Sequence, residues 1–461
     1  ERKRMNTELE TNTANHKISA KTRFSIVAVA LVAFMGILAE TSLNVTFPTL
    51  EKTFGLPLST VQWVTTAYLL VVAIVMPTSS YISQRFQNRT LFFSGLIFFT
   101  LGDLLSLISP NFTILMAGRL IQGIGTGIAI PLMFNLVLTK IPRERVGLWM
   151  GFAGMILSIA PALGPTYGGL LTGTLGWRMI FAIILIIPIC LFPLGAWAIE
   201  KSEKKRPGKF DFIAFIFLSL AMTSALLALD SLSSAHFSWI WLVVFILGLI
   251  AFIWRSKTST LNFIDINVFK SPTFTLSVLV YCILQFVNLG INFIIPNFLQ
   301  VSLGTTSTLA GFTLLPGSLI GSAAQGPIGA LYDRKGAKGI LYSGNTVFFI
   351  ALVLLTIFTK NLTLLGVMGL YVVFTIGRSS CFATTMTNSL AQLPHDKAAS
   401  GNAWFTTTSQ FAASAGTATA SLIATKSSNL TTGTQHVFMF FLCLALLNFV
   451  FYTLILNKKI K

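Results

Sequence analysis

The chain has 461 residues, 54% hydrophobic and only 10% charged, with a formal net charge of +18. Soluble domains average about 25% charged. Apolar runs of about 20 residues recur along the whole length, so the composition excludes a soluble globule and reads as a polytopic helical membrane protein. The positive charge argues against a nucleic-acid surface, because Lys and Arg sit in the short gaps between apolar runs.

A polar tail up to Ser19, expected to be disordered, leads into the first apolar run, which starts at Phe24 behind Lys17, Lys21 and Arg23. It lacks a small-residue cleavage site and many runs follow it, so it reads as a span and not a removed signal. Fourteen spans are expected, at about 24–48, 61–83, 91–109, 113–139, 146–172, 179–199, 211–229, 238–255, 273–299, 308–332, 339–358, 364–390, 400–424 and 435–456. An even count puts both termini on one side. That side carries 26 of the 32 Lys and Arg, and the opposite side only Lys52, Arg178, Lys360 and Lys426. The excess of cations in cytoplasmic loops places both termini in the cytoplasm. The strongest break in composition is the basic loop 200–210; the segment 256–272 is basic and amphipathic and is expected to lie along the membrane surface.

Ionisable groups inside spans are costly and mark function by default. Glu40 stands near the end of span one, as a proton carrier or as a helix-end carboxylate satisfied by a nearby hydroxyl or Arg. Asp103 lies within span three, as a second proton site or a structural pair. Arg119 in span four and Arg378 in span twelve require partners or a cavity; Asp211 and Asp230 are at span ends and easier to solvate. His236, His395 and His436 are near span ends, which speaks against a histidine relay. Cys190, Cys282, Cys381 and Cys443 are spaced singly, with neither metal nor disulfide spacing. No phosphate-binding Gly-x-x-x-x-Gly-Lys-Ser/Thr string occurs, and no His, Asp or Cys cluster suggests an enzyme.

Several strings have physical content. Span five carries Ala160-Pro161-Ala162-Leu163-Gly164-Pro165-Thr166-Tyr167-Gly168-Gly169. Gly147, Gly151, Ala160, Gly164 and Gly168 have the small-xxx-small spacing of close helix contacts, and the two prolines each remove a backbone hydrogen bond. Gly329-Ala-Leu-Tyr-Asp333-Arg334-Lys335-Gly336-Ala-Lys338 follows span ten, with a degraded echo, Ser80 to Arg89, after span two. Its glycines permit a tight turn. Span four reads Gly118-Arg119-Leu-Ile-Gln122-Gly123-Ile-Gly125, and Trp63 to Tyr68 open span two.

These strings resemble the signatures of the major facilitator superfamily, in particular its fourteen-span drug:proton antiporters, a group of bacterial multidrug exporters. The resemblance covers Leu38 to about Leu422. It implies a tail (1–23), a six-helix bundle (24–199), a basic loop with two extra spans and an amphipathic linker (200–272), a second six-helix bundle (273–456) and a tail (457–461). It implies a substrate cavity lined by Glu40, Asn44, Trp63, Tyr68, Arg119, Gln122 and Arg378. It also implies proton coupling through Glu40, Asp103 and Arg119. Pro161, Gly164, Pro165, Gly168 and Gly169 then form the motif about which the halves rock. Arg85, Gly329, Asp333, Arg334 and Gly336 form a cytoplasmic gate in which Asp and Arg pair. The family's span-one Asp falls on Ala39, one residue or about 100° from Glu40. The expected function is proton-driven export of lipophilic, often cationic compounds from a bacterial cell by a monomer in the cytoplasmic membrane. No enzyme activity, cofactor, metal or nucleic-acid partner is implied. Export of a specific endogenous metabolite, lipid or siderophore stays open.

Overall fold

The computed structural model describes residues 18–43, 46–56, 58–61, 63–201, 208–233, 238–261, 263–305 and 307–457. Asn44, the tail before residue 18, residues 202–207 and residues 458–461 lie outside the described residues.

Among the described residues fourteen long helices follow one another. They are α1 (Ala20–Leu43), α2 (Trp63–Arg85, with a 3-10 turn at Met76–Thr78 where Pro77 falls), α3 (Asn88–Ile108), α4 (Phe112–Lys140), α5 (Val146–Thr174), α6 (Met179–Ala198) and α7 (Phe212–Ser233). Then come α8 (Trp239–Thr258), α9 (Pro272–Ser302), α10 (Ser307–Lys335), α11 (Ala337–Phe358), α12 (Leu364–Ala391), α13 (Ala398–Lys426) and α14 (Leu430–Asn457). The fourteen expected spans are all present as helices. Local chemistry sets their ends. Asn111, Ser271 and Thr363 accept a backbone N–H in the first turns of α4, α9 and α12. Gly336, at φ 73°, makes the reversal between α10 and α11 that a side chain would strain.

Among the described residues eleven helices are long and apolar enough to cross a membrane; α7, with an apolar stretch of only Phe212–Ala225, is not among them, nor are α10 and α13. For the last two the reason is architectural. Both lie where the bundles meet, α10 against α5 and α13 against α2 and α4. There the polar groups find protein partners rather than lipid.

The start of α1 and the ends of α4 and α6 sit together around Lys21, Lys140 and Glu200. The start of α5 meets the end of α10, and the end of α14 bonds to α11 near its start. The start of α1 and the end of α14 therefore lie on one side, called here the basic face. One apolar core fills the first bundle and continues into the starts of α9 and α13 and the end of α12; a second fills the rest of the second bundle. The bundles are thus fused at the basic face.

The inserted α7 and α8 pack on each other, with Gly248 against Ala221, and α7 leans on α2 and α13. Arg255 and Asp211 pair at 3.0 Å. The linker after α8 was expected on the membrane surface. Instead its apolar side chains turn inward: Phe263, Ile264 and Val268 are buried, Phe263 against Phe210, Phe215 and Phe252. Phe269 packs edge-on to Trp404.

Candidate functional site

Close helix contact in the first bundle starts from glycine. A Cβ on Gly118 would stand 2.8 Å from the Gly102 carbonyl, and one on Gly125 2.5 Å from that of Gly95. With α3 and α4 this near, Asp103, Arg119 and Gln122 are each wholly buried. Gln122 links the two charges. Its Nε2 donates to Asp103 Oδ1 at 2.8 Å and its Oε1 accepts from Arg119 Nη1. Arg119 Nε also donates to the Val64 carbonyl at 3.3 Å. The guanidinium lies 4.0 Å from the centre of the Tyr68 ring, a cation–π contact. The Tyr68 hydroxyl donates to Thr126 at 2.8 Å. Asp103 Oδ2 and Arg119 Nη2 are buried and, among the described residues, make no hydrogen bond.

Glu40 joins this cluster from α1. Gly36, one turn before it, is pressed on Thr126, which turns that face of α1 towards α4. Glu40 interacts electrostatically with Arg119 and Tyr68. Ala39, where the family's span-one Asp falls, is fully buried in the core. The structure therefore brings together Glu40, Tyr68, Asp103, Arg119 and Gln122. It does not bring in Trp63, which is exposed at the start of α2. Asn44 lies outside the described residues.

Arg378 forms a second cluster that the sequence did not delineate. Its Cζ is 5.0 Å from the Phe382 ring centre, and Phe382 stacks on Tyr281 at 4.0 Å. Gln285 Oε1 is 3.5 Å from Nη1. The Tyr371 hydroxyl nearby donates to Asn292 at 2.6 Å. Phe382 packs against both apolar cores, and its helix α12 also touches α5 of the first bundle.

Polar contacts between the bundles cluster in the half next to the basic face. Asp333 of α10 accepts from the backbone N–H groups of Gly147 and Leu148 at 2.8 and 2.9 Å, capping the start of α5. Gln325 donates to Ser158 at 2.8 Å, Asn402 to Pro131 and Asn135, and Ser80 bonds Ser400 at 2.5 Å. Two expectations need correction. Arg85 and Arg334 are exposed and, among the described residues, pair with no carboxylate. The latch is a carboxylate on a helix N-terminus, where backbone donors are unspent and the dipole favours an anion. Gly329 serves close approach rather than a turn, since its Cβ would stand 2.0 Å from the Gly147 carbonyl.

The third correction concerns α5. Its small residues were expected to lie at the junction of the halves. Gly147, Gly151 and Gly154 do, against α10. Gly164 and Gly168 instead receive Thr41 and Ser42 of α1, within the first bundle. Pro161 and Pro165 lie inside the same unbroken helix. Gly169 faces open space. The seam pairs Gln325–Ser158, Asn402–Asn135 and Ser80–Ser400 went unread. Their signal was available: polar residues set in the helices of lowest hydropathy.

Two apolar-walled helical bundles, each with a buried arginine, are thus joined at one face by polar contacts. A sequence model of the Major Facilitator Superfamily matches residues 29–417 and 278–460, and the chain belongs to that family. It is 31% identical over 450 residues to the lincomycin resistance protein LmrB of Bacillus subtilis, covering 92% of this chain and 94% of that protein. It is 32% identical over 441 residues to LmrB of Listeria monocytogenes, covering 91% and 94%. It is 26% identical over 397 residues to the riboflavin transporter RibZ of Clostridioides difficile, covering 85% and 86%. Among solved structures, the human organic anion transporter MFSD10 superposes with a TM-score of 0.68 at 16% identity, over 94% of this chain and 99% of that one. These structural likenesses show the fold. The protein is a multi-pass membrane transporter of this superfamily.

Proposed function

We propose that the protein is a proton-coupled exporter of lipophilic, often cationic compounds, working as a monomer in the bacterial cytoplasmic membrane with both termini in the cytoplasm. The proton gradient is its energy source and no cofactor is needed. The observation that carries this reading is the buried cluster of Asp103, Gln122 and Arg119 with Glu40 in electrostatic reach. A buried arginine keeps its charge, whereas a carboxylate beside it can exchange a proton. The relatives named for lincomycin resistance support export of drugs.

In the cycle, deprotonated Glu40 accepts substrate while the cytoplasmic side is open. The bundles then close at the basic face, as in the present arrangement. There Asp333 caps α5, and the pairs Gln325–Ser158, Asn402–Asn135 and Ser80–Ser400 form. A proton from outside neutralises Glu40 and displaces the substrate. With Glu40 protonated, the empty carrier returns without that buried negative charge. Proton and substrate couple because both bias one two-state equilibrium. Asp103 is the second proton site, linked to Arg119 through Gln122, which would allow more than one proton per cycle. A second reading, export of one specific metabolite, draws on the likeness to the riboflavin transporter RibZ.

The test is proton release from purified protein on adding ethidium. Release from wild type that vanishes in Glu40→Gln and falls in Asp103→Asn is expected. Release unchanged in both variants overturns this proton path. No release from wild type with any of a panel of lipophilic cations overturns the multidrug reading in favour of a specific substrate.

A further inference from the structure

Arg378 is not used by this cycle, and its surroundings differ from those of Arg119. It is 6% exposed, in the middle of α12. Among the described residues no carboxylate acts on it; the groups that do are Tyr371 and Tyr281. Among the described residues its Nε is buried with no hydrogen-bond partner, and its one side-chain acceptor, Gln285, is at the limit of reach. An arginine cannot discharge itself by losing a proton. A buried, uncompensated cation is costly, so the position favours an anion that arrives from elsewhere. The guanidinium presents Nε and Nη donors as a fork that matches two oxygens of a carboxylate, sulfonate or phosphate. The stacked Phe382 and Tyr281 beside it supply flat faces for a ring. The site lies on α12, which touches α5 of the first bundle.

We propose that Arg378, with Phe382, Tyr281 and Gln285, is a subsite for an acidic group carried on an aromatic ring system of the transported compound. The substrate range then includes zwitterions, with their cationic end towards Glu40 in the opposite bundle. This rests on the export reading above and narrows its substrate class.

The test compares two dyes that share one cationic ring system, rhodamine 6G, an ethyl ester, and rhodamine 19, its free acid. Binding to the purified transporter is followed by fluorescence polarization. Wild type is expected to bind the acid at least about tenfold more tightly than the ester, the factor a charge-assisted hydrogen bond supplies. Arg378→Gln should bring that ratio to within about threefold, and Arg378→Lys should keep part of it. Ester binding with no preference for the acid in wild type overturns the subsite and leaves the export reading standing. A preference that persists in Arg378→Gln also overturns the subsite. Binding of neither dye overturns both.

Discussion

Gly118-Arg119 of α4 packs on Gly102 of α3, and Gly377-Arg378 of α12 packs on Gly344 of α11. In each pair a Cβ on the first glycine would stand 2.8 Å from the carbonyl of the second. The residue after the receiving glycine is Asp103 in one bundle and Asn345 in the other. Asp103 reaches Arg119 through Gln122, whereas Asn345 turns away, donating to the Ala445 carbonyl of α14 at 3.1 Å. The same backbone frame thus holds one arginine among carboxylates and the other among tyrosines, an amide and a phenyl ring. On the reading proposed above, only the first bundle can exchange protons, and the second offers a fixed positive charge. The division of labour follows from one side-chain type, on a glycine contact that both halves keep.

The largest effect on this comparison is expected from Arg119→Ala. It leaves Asp103 buried without its linked cation, a loss of about 3–5 kcal/mol for a broken buried charge pair. Transport should be abolished and the thermal unfolding midpoint of the purified protein should drop. A midpoint equal to wild type would mean that Asp103 and Arg119 do not stabilise each other. Next comes Gly329→Val, which forces atoms into the Gly147 backbone. Spin labels on the exposed Arg145 and Lys338 should move apart as the basic face loses its closed state; an unchanged distance distribution would contradict the seam. The exchange of carboxylate and amide between bundles is smaller and more diagnostic. Asn345→Asp sets a carboxylate oxygen against the Ala445 carbonyl and should cost about 2–3 kcal/mol. Asp103→Asn keeps an oxygen for Gln122 to donate to and leaves Glu40 as the counter-charge of Arg119, so it should cost under about 1 kcal/mol, while reducing proton release. Equal shifts in the two unfolding midpoints would break the comparison.

The spans, their order and the charged residues within them were legible because lipid admits little else. The glycines of α4 were legible too, since close contact needs them. Which way Glu40 points was not. Ala39 and Glu40 are one residue apart on a helix that is apolar nearly all round, so periodicity does not choose a face. The choice is made by Gly36 on Thr126 and by Ser42 on Gly168. The Arg378 cluster was hidden for a related reason. A Phe or Tyr in a span serves lipid, core or ligand equally well, and only the packing of α9 on α12 brings Tyr281 onto Phe382. Asp333 was legible as a latch but not its partner, because backbone N–H groups at a helix start leave no mark in residue type.

That partner supplies the smallest prediction. Both carboxylate oxygens of Asp333 are engaged by the first N–H groups of α5. Asp333→Asn keeps one acceptor, turns an N–H₂ towards the other donor and removes the negative charge from the positive end of the helix. A charge at that position contributes about 0.3–1 kcal/mol, and up to about 2 when partly buried. The populations of closed and open basic face should therefore shift by about 2- to 30-fold towards open. Because Gln325–Ser158, Asn402–Asn135 and Ser80–Ser400 remain, the closed state should persist as a detectable population, unlike in Gly329→Val. The label pair on Arg145 and Lys338 distinguishes the two: a partial second distance for Asp333→Asn, a nearly complete shift for Gly329→Val. Complete opening in Asp333→Asn would mean that the seam depends on this one carboxylate. No change would mean that the glycine contact between α5 and α10 closes the basic face alone.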